Sequence, residues 1–121
     1  MLIQNILSFD DFKTYLDNYK GVIINISAEW CKPCAIIKPQ IEKFISVIEN
    51  SDVIYLKLDN SIYDEDYRFD SFFNLKKIPY FAFISQNQII ESFISADFMY
   101  VSKKIHGFQS KFTEISFKED F

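Results

Sequence analysis

Cys31 and Cys34 are the residues of this chain best suited to covalent chemistry. They are its only cysteines, set two residues apart within Trp30-Cys31-Lys32-Pro33-Cys34. A dithiol at that spacing can close and open reversibly. The attacking species is a thiolate, so one sulfur must have a depressed pKa and the other must lie within reach. Cys31 falls at the predicted start of a helix. Unpaired N–H groups and the macrodipole favour negative charge there, and the Lys32 ammonium adds to the effect. Cys31 is therefore expected to be the attacking sulfur and the more exposed of the two. Cys34, on the first helical turn, is expected to resolve the mixed disulfide. Paired thiols can also hold a metal. Zinc, however, takes about four ligands, and the chain offers these two thiols and the distant His106. Neither a metal nor a bound cofactor is expected.

The flanking residues must place this dithiol at a strand-to-helix junction. Val22-Ile23-Ile24-Asn25-Ile26 precedes it, β-branched and mostly apolar, as expected of a buried central strand over 22–27. Pro33 suits a first helical turn. Ile37, Ile41, Phe44, Ile45 and Ile48 then recur at helical spacing up to Asn50-Ser51-Asp52. Upstream, residues 2–7 read as a short strand. Ser8 opens a helix bearing Phe9, Phe12, Leu16 and Tyr19, with Gly21 as its expected stop. Downstream, 53–58 reads as a strand, and 60–76 as helical only in its second half. Residues 80–85 and 88–94 read as a hairpin about Gln86-Asn87. A last helix is expected from Asp97 to about Phe112, although Gly107 sits inside its pattern. One strand-helix-strand unit followed by a hairpin and a helix predicts an α/β fold, a central mixed sheet with helices on both faces.

Length and composition exclude several classes. A chain of 121 residues makes one domain and buries about two-thirds of its unfolded surface. Hydrophobic residues make up 49%, which argues against disorder. Aromatics reach 18%, with 14 Phe and 7 Tyr, so the core should be aromatic-rich. A net charge of −4 argues against nucleic acid as a partner. The apolar runs fall short of the ~18 residues of a membrane span, and the first residues do not read as a signal peptide, so no membrane role is expected. The cysteines form no structural disulfide framework, which makes a cytoplasmic location the expectation.

Ala28-Glu29-Trp30-Cys31-Lys32-Pro33-Cys34 resembles the active-site segment of the thioredoxin family, with Lys32 where glycine is usual. Lys77-Ile78-Pro79-Tyr80-Phe81 resembles that family's Ile-Pro loop. The order of elements agrees, so the resemblance covers roughly residues 1–112 as one domain and leaves 113–121 as a tail without a clear period. It implies a thioredoxin fold and a thiol–disulfide oxidoreductase acting on protein disulfides. A flavin-dependent NADPH reductase, thioredoxin reductase, would recycle it. It further implies that Trp30, Ile78 and a cis Pro79 face the substrate, and that Lys32 and Pro33 tune the potential. Two other readings stay open: a dedicated or isomerase-like redox protein, and an interaction module with vestigial cysteines.

Three departures from the family pattern stand out. Asn25 occupies the place of a buried aspartate thought to exchange a proton with the second cysteine, and an amide cannot act as a base. The stretch from Asp59 to Pro79 is longer than usual. It carries Asp64-Glu65-Asp66 and Asp70, an acidic rim in one reading and a solvated face in the other. Ser95-Ala96 stands near a position where glycine is usual.

Overall fold

The computed structural model describes residues 1–112, so the expected tail 113–121 lies outside the described residues. The elements are β1 (Leu2–Asn5), α1 (Phe9–Asn18), β2 (Gly21–Ser27), α2 (Lys32–Ser46), β3 (Val53–Asp59), α3 (Asn60–Asp64), α4 (Tyr67–Phe73), β4 (Tyr80–Ser85), β5 (Gln88–Ile94) and α5 (Phe98–Gln109), closed by a 3₁₀ turn, Ser110–Phe112. They form the thioredoxin fold. One five-stranded sheet runs in the order β1-β3-β2-β4-β5, with β1, β3 and β2 parallel and β4 and β5 antiparallel.

The alternation of side chains along β2 divides the core. Val22, Ile24 and Ile26 point to a face covered by Phe12 and Leu16 of α1, Tyr63 of α3, and Phe69 and Phe73 of α4. Ile23 points to the other face, where Ile37, Ile41 and Ile45 of α2 meet Val101, Ile105 and Phe108 of α5. The first face is rich in edge-on aromatic pairs, Phe12 against Phe72 at 5.3 Å and Phe9 against Phe69 at 5.3 Å. Such pairs add about 0.5–1.5 kcal/mol each beyond area burial. The ends of α2 and α5 are tied through Asn50, whose amide donates to both the carbonyl (3.0 Å) and the side-chain oxygen (2.9 Å) of buried Gln109.

Gly21 is not the stop of α1. That helix ends at Asn18 on an extended Tyr19, and Gly21 is the first residue of β2. The site wants glycine for space. A Cβ there would lie 2.9 Å from Phe112 and 3.2 Å from Phe108. Residues 60–64 are also helical, which the periodicity did not suggest. Asp59 caps α3 by accepting from the Ser61 N–H (3.0 Å), and Asp66 caps α4 by accepting from that of Arg68 (3.0 Å). The hairpin turn is as expected. Gln86 and Asn87 both take positive φ, 54° and 62°, the twist that a two-residue loop between antiparallel strands requires.

Candidate active site

The dithiol sits where β2 hands the chain to α2. After Ser27 the backbone turns, and the Cys31 N–H donates to the Ala28 carbonyl at 3.1 Å. Cys31 stays extended and is the N-cap of α2. Its Sγ accepts from the Cys34 N–H at 3.2 Å. Lys32 and Pro33 occupy the first two helical positions, where the proline's missing N–H removes nothing. Cys31 and Cys34 are joined as a disulfide with Cα atoms 5.3 Å apart.

The expected difference in exposure between the two cysteines is slight in this form: Cys31 is 6% exposed and Cys34 5%, both buried in a cluster with Ala28 against which Ile78 packs. Lys32 and Pro33 are exposed beside them.

Trp30 is 75% exposed rather than a core residue. It forms one wall of an open groove of about 740 Å³ whose other walls include Tyr67, Leu75, Lys77 and Ile78. Tyr67, 80% exposed, was not singled out in the sequence. Its position in α4, facing the groove with Trp30, depends on the two short helices after β3. The Ile78–Pro79 bond is cis, Pro79 is buried, and Ile78 precedes β4, which is an interior strand rather than an edge. The Ser95 N–H donates to the Pro79 carbonyl (3.3 Å), and the Ser95 hydroxyl accepts from the Asp97 N–H (3.1 Å), which fastens that loop to the proline.

The acidic stretch is mostly engaged in local structure. Asp66 binds the Arg68 guanidinium at 2.7 Å. Arg68 also reaches Asp10 at 3.2 Å and covers the Phe9 ring, which ties α4 to α1. Hydrogen bonds from Arg68 hold the Asp66 carboxyl below the usual carboxylate range. Asp70 accepts from the Tyr63 hydroxyl, which in turn accepts from the Leu75 N–H at 3.0 Å. Burial, helped by the bond to Asp70, pushes the Tyr63 phenol above its ordinary range. Asp64, Asp66 and Asp70 nevertheless line the groove, opposed by Lys76 and Lys77.

Behind the dithiol lies a smaller cavity of about 270 Å³ that joins Cys34 to Asn25, Lys38, Lys57 and Asp59. Asn25 is half-buried, and its amide donates to the Tyr80 carbonyl at 3.2 Å. It stands in register with Lys57 of β3, whose ammonium is held by Glu42 of α2 at 2.7 Å. Lys57 was not recognisable as a site residue, because the parallel pairing of β2 with β3 brings it there, and Glu42 of α2 meets it only through the packing of that helix on the sheet. His106 is exposed on α5. No group of three or more His, Cys, Asp or Glu is arranged to hold a metal ion among the described residues.

Comparison with known proteins agrees with this geometry. The family model described as Thioredoxin matches residues 4–105. A thioredoxin of Malassezia sympodialis is 32% identical over 95 residues, covering 78% of this chain and 88% of that protein. Thioredoxin H9 of Arabidopsis thaliana is 34% identical over 106 residues, covering 86% and 71%. The crystal structure of the Malassezia sympodialis protein superposes with a TM-score of 0.76 at 30% identity, covering 90% of this chain and 95% of that one. Reduced Schistosoma mansoni thioredoxin shares the fold with a TM-score of 0.75 at 21% identity, covering 89% and 99%.

Proposed function

This chain belongs to the thioredoxin family, and we propose that Cys31 is its attacking sulfur, Cys34 its resolving sulfur and the groove beside Trp30 its substrate surface. Thiol–disulfide oxidoreductase activity itself follows from the family and the CxxC pair. The observation that carries the assignment of roles is the capping geometry. Cys31 Sγ is the atom that accepts at the N-terminus of α2, where a thiolate is stabilised. The Cys31 thiolate attacks one sulfur of a substrate disulfide and expels the other as a thiolate. The Cys34 thiolate then attacks Cys31 Sγ, closes the Cys31–Cys34 bond and releases the second substrate thiol. Two electrons pass to the substrate.

The remaining side chains set substrate fit and potential. Trp30 and Ile78 line the groove, and an extended segment can lie against the Ile78 backbone just before the cis bond to Pro79. Lys32 favours the Cys31 thiolate and so moves the couple towards oxidising values, with Pro33 stiffening the turn. Redox titration of Lys32→Gly against glutathione tests this, and a potential equal to wild type refutes it. Asn25 leaves the proton on Cys34 to another group or to water. The partners are proteins with accessible disulfides and a thioredoxin reductase that restores the dithiol. The location is the cytoplasm, where a lone CxxC stays reducible.

The roles separate in one experiment. Cys31→Ser abolishes insulin disulfide reduction, and Cys34→Ser accumulates mixed disulfides. Faster iodoacetamide labelling of Cys34 than of Cys31 in the reduced protein overturns the assignment.

A further inference from the structure

A second cleft of about 540 Å³ opens between β5 and α5, and shares no residue with the groove beside Trp30. Its floor is Phe83 and Phe108, whose rings stack at 4.8 Å, and its apolar walls are Ile90 and Tyr100. Its rim carries Lys103, Lys104 and Lys111. Glu91 also lines it, but Lys104 Nζ holds that carboxylate at 2.6 Å while lying over the Tyr100 ring. Three lysines less one glutamate leave the cleft at +2 in a chain whose net charge is −4.

Gly107 gives the second observation. Glycine inside a helix is destabilising relative to alanine, so its presence there calls for a packing or other reason. Gly21, the chain's other glycine, has such a reason in Phe108 and Phe112. Gly107 has none among the described residues, where a Cβ built on it meets nothing within 4 Å. The space that this side chain leaves open is the cleft itself. Tyr100, Lys104 and Gly107 recur at helical spacing, so a single face of α5 supplies the ring, one ammonium group and the gap, and Lys111 of the 3₁₀ turn that follows adds a second ammonium.

We propose that this cleft binds a small amphiphilic carboxylate, its apolar chain over Phe83 and Phe108 and its anion among Lys103, Lys104 and Lys111. The volume falls within the range of small-molecule sites, about 300–1,000 Å³. The combination of an aromatic floor with a cationic rim selects an anion that carries an apolar tail over a bare phosphate or a neutral hydrocarbon.

Sodium decanoate, titrated into the full chain below its micelle concentration and followed by backbone amide chemical shifts, tests the proposal. Saturable shifts should gather at Ile90, Tyr100 and Gly107. Gly107→Leu should fill the cleft and abolish them, whereas Gly107→Ala, whose methyl meets no described residue, should keep them and raise the melting temperature. Lys103→Glu combined with Lys111→Glu should weaken binding about tenfold, and decanol should bind more weakly than decanoate. Insulin reduction should be unchanged in every variant. The proposal is overturned by an absence of saturable shifts, by shifts centred on Trp30 and Cys31, or by wild-type affinity in folded Gly107→Leu. Equal affinity for decanol overturns the charge argument, and shifts produced by an acidic peptide but not by decanoate overturn the choice of occupant.

Discussion

Replacing Asn25 by aspartate tests how the cavity behind Cys34 works. The Asn25 amide donates to the Tyr80 carbonyl at 3.2 Å, across the β2–β4 pairing. An ionised carboxylate cannot donate. It would remove that bond and face the carbonyl with a negative charge, at a cost of about 1–3 kcal/mol. At roughly 5 °C per kcal/mol for a chain of this size, the melting temperature at pH 8 should fall by about 5–15 °C. Burial raises the pKa of the new carboxyl. Lys57, its neighbour in register, opposes that only in part because Glu42 already holds the ammonium at 2.7 Å. A carboxyl whose folded pKa is raised contributes most at low pH, below its unfolded value of about 3.9, and the contribution is lost as pH rises through the folded value. The variant's deficit should therefore shrink towards pH 5, where a protonated carboxyl can again donate to Tyr80. The same carboxyl, near Cys34 and with its pKa raised towards neutrality, should speed insulin reduction near pH 7 and give the rate a new pH dependence. Thermal melts and pH–rate profiles of both proteins decide the matter. An unchanged melting temperature at pH 8 refutes the hydrogen-bond argument, and an unchanged rate profile shows that another group already moves the proton.

Two further predictions concern stability. Gly21→Ala should lose about 1–3 kcal/mol by overpacking Phe108 and Phe112, whereas Gly107→Ala should gain about 0.5–1 kcal/mol of helix propensity. Denaturant midpoints that move in the same direction for both refute the distinction drawn between the two glycines. Burial, with Glu42 nearby, raises the Tyr55 phenol, and burial with Asp70 raises Tyr63. Groups raised on folding stabilise below their unfolded pKa of about 10 and lose that contribution as pH climbs further. Unfolding free energy should therefore drop above pH 10, with phenolate absorbance appearing together with unfolding. Equal stability at pH 8 and pH 11 would show that these hydroxyls ionise freely in the folded chain.

The parts legible in the sequence were those governed by local pattern. The run of apolar residues before the cysteines gave β2, the spacing Ile37-Ile41-Ile45 gave α2, and Asn87 with its neighbour marked the hairpin. Missed features depended on partners distant in the chain. Gly21 has the look of a helix stop because it follows one, yet its reason is the Phe108 ring on the last helix. The stretch 60–64 lacks an apolar stripe and is helical because Asp59 caps it and Tyr63 is anchored to Asp70. Exposure of Cys31 was overestimated, since reasoning from the helix terminus does not include Ile78 arriving from the other side of the chain. Tyr67, Lys57 and Glu42 carry no motif, and only the fold of the two short helices, the sheet register and the packing of α2 on the sheet bring them together near the site.

The sulfur that caps α2 is also the atom whose oxidation state changes, which makes the cap a thermodynamic gauge. Removing a conventional cap costs about 1 kcal/mol. Here the acceptor is Cys31 Sγ, bonded to the Cys34 N–H. Whatever that bond gains or loses between the dithiol and disulfide forms must appear twice, because the two forms are linked through a closed cycle. It appears as a difference in unfolding free energy between oxidised and reduced protein. It appears equally as a displacement of the native couple from the potential of the unfolded CxxC, about 30 mV for each 1.4 kcal/mol. Calorimetry on the two forms is then a form of voltammetry. A substitution in α2 beyond Cys34 can leave the potential untouched while it shifts both stabilities together, and it reaches the redox couple only by separating them.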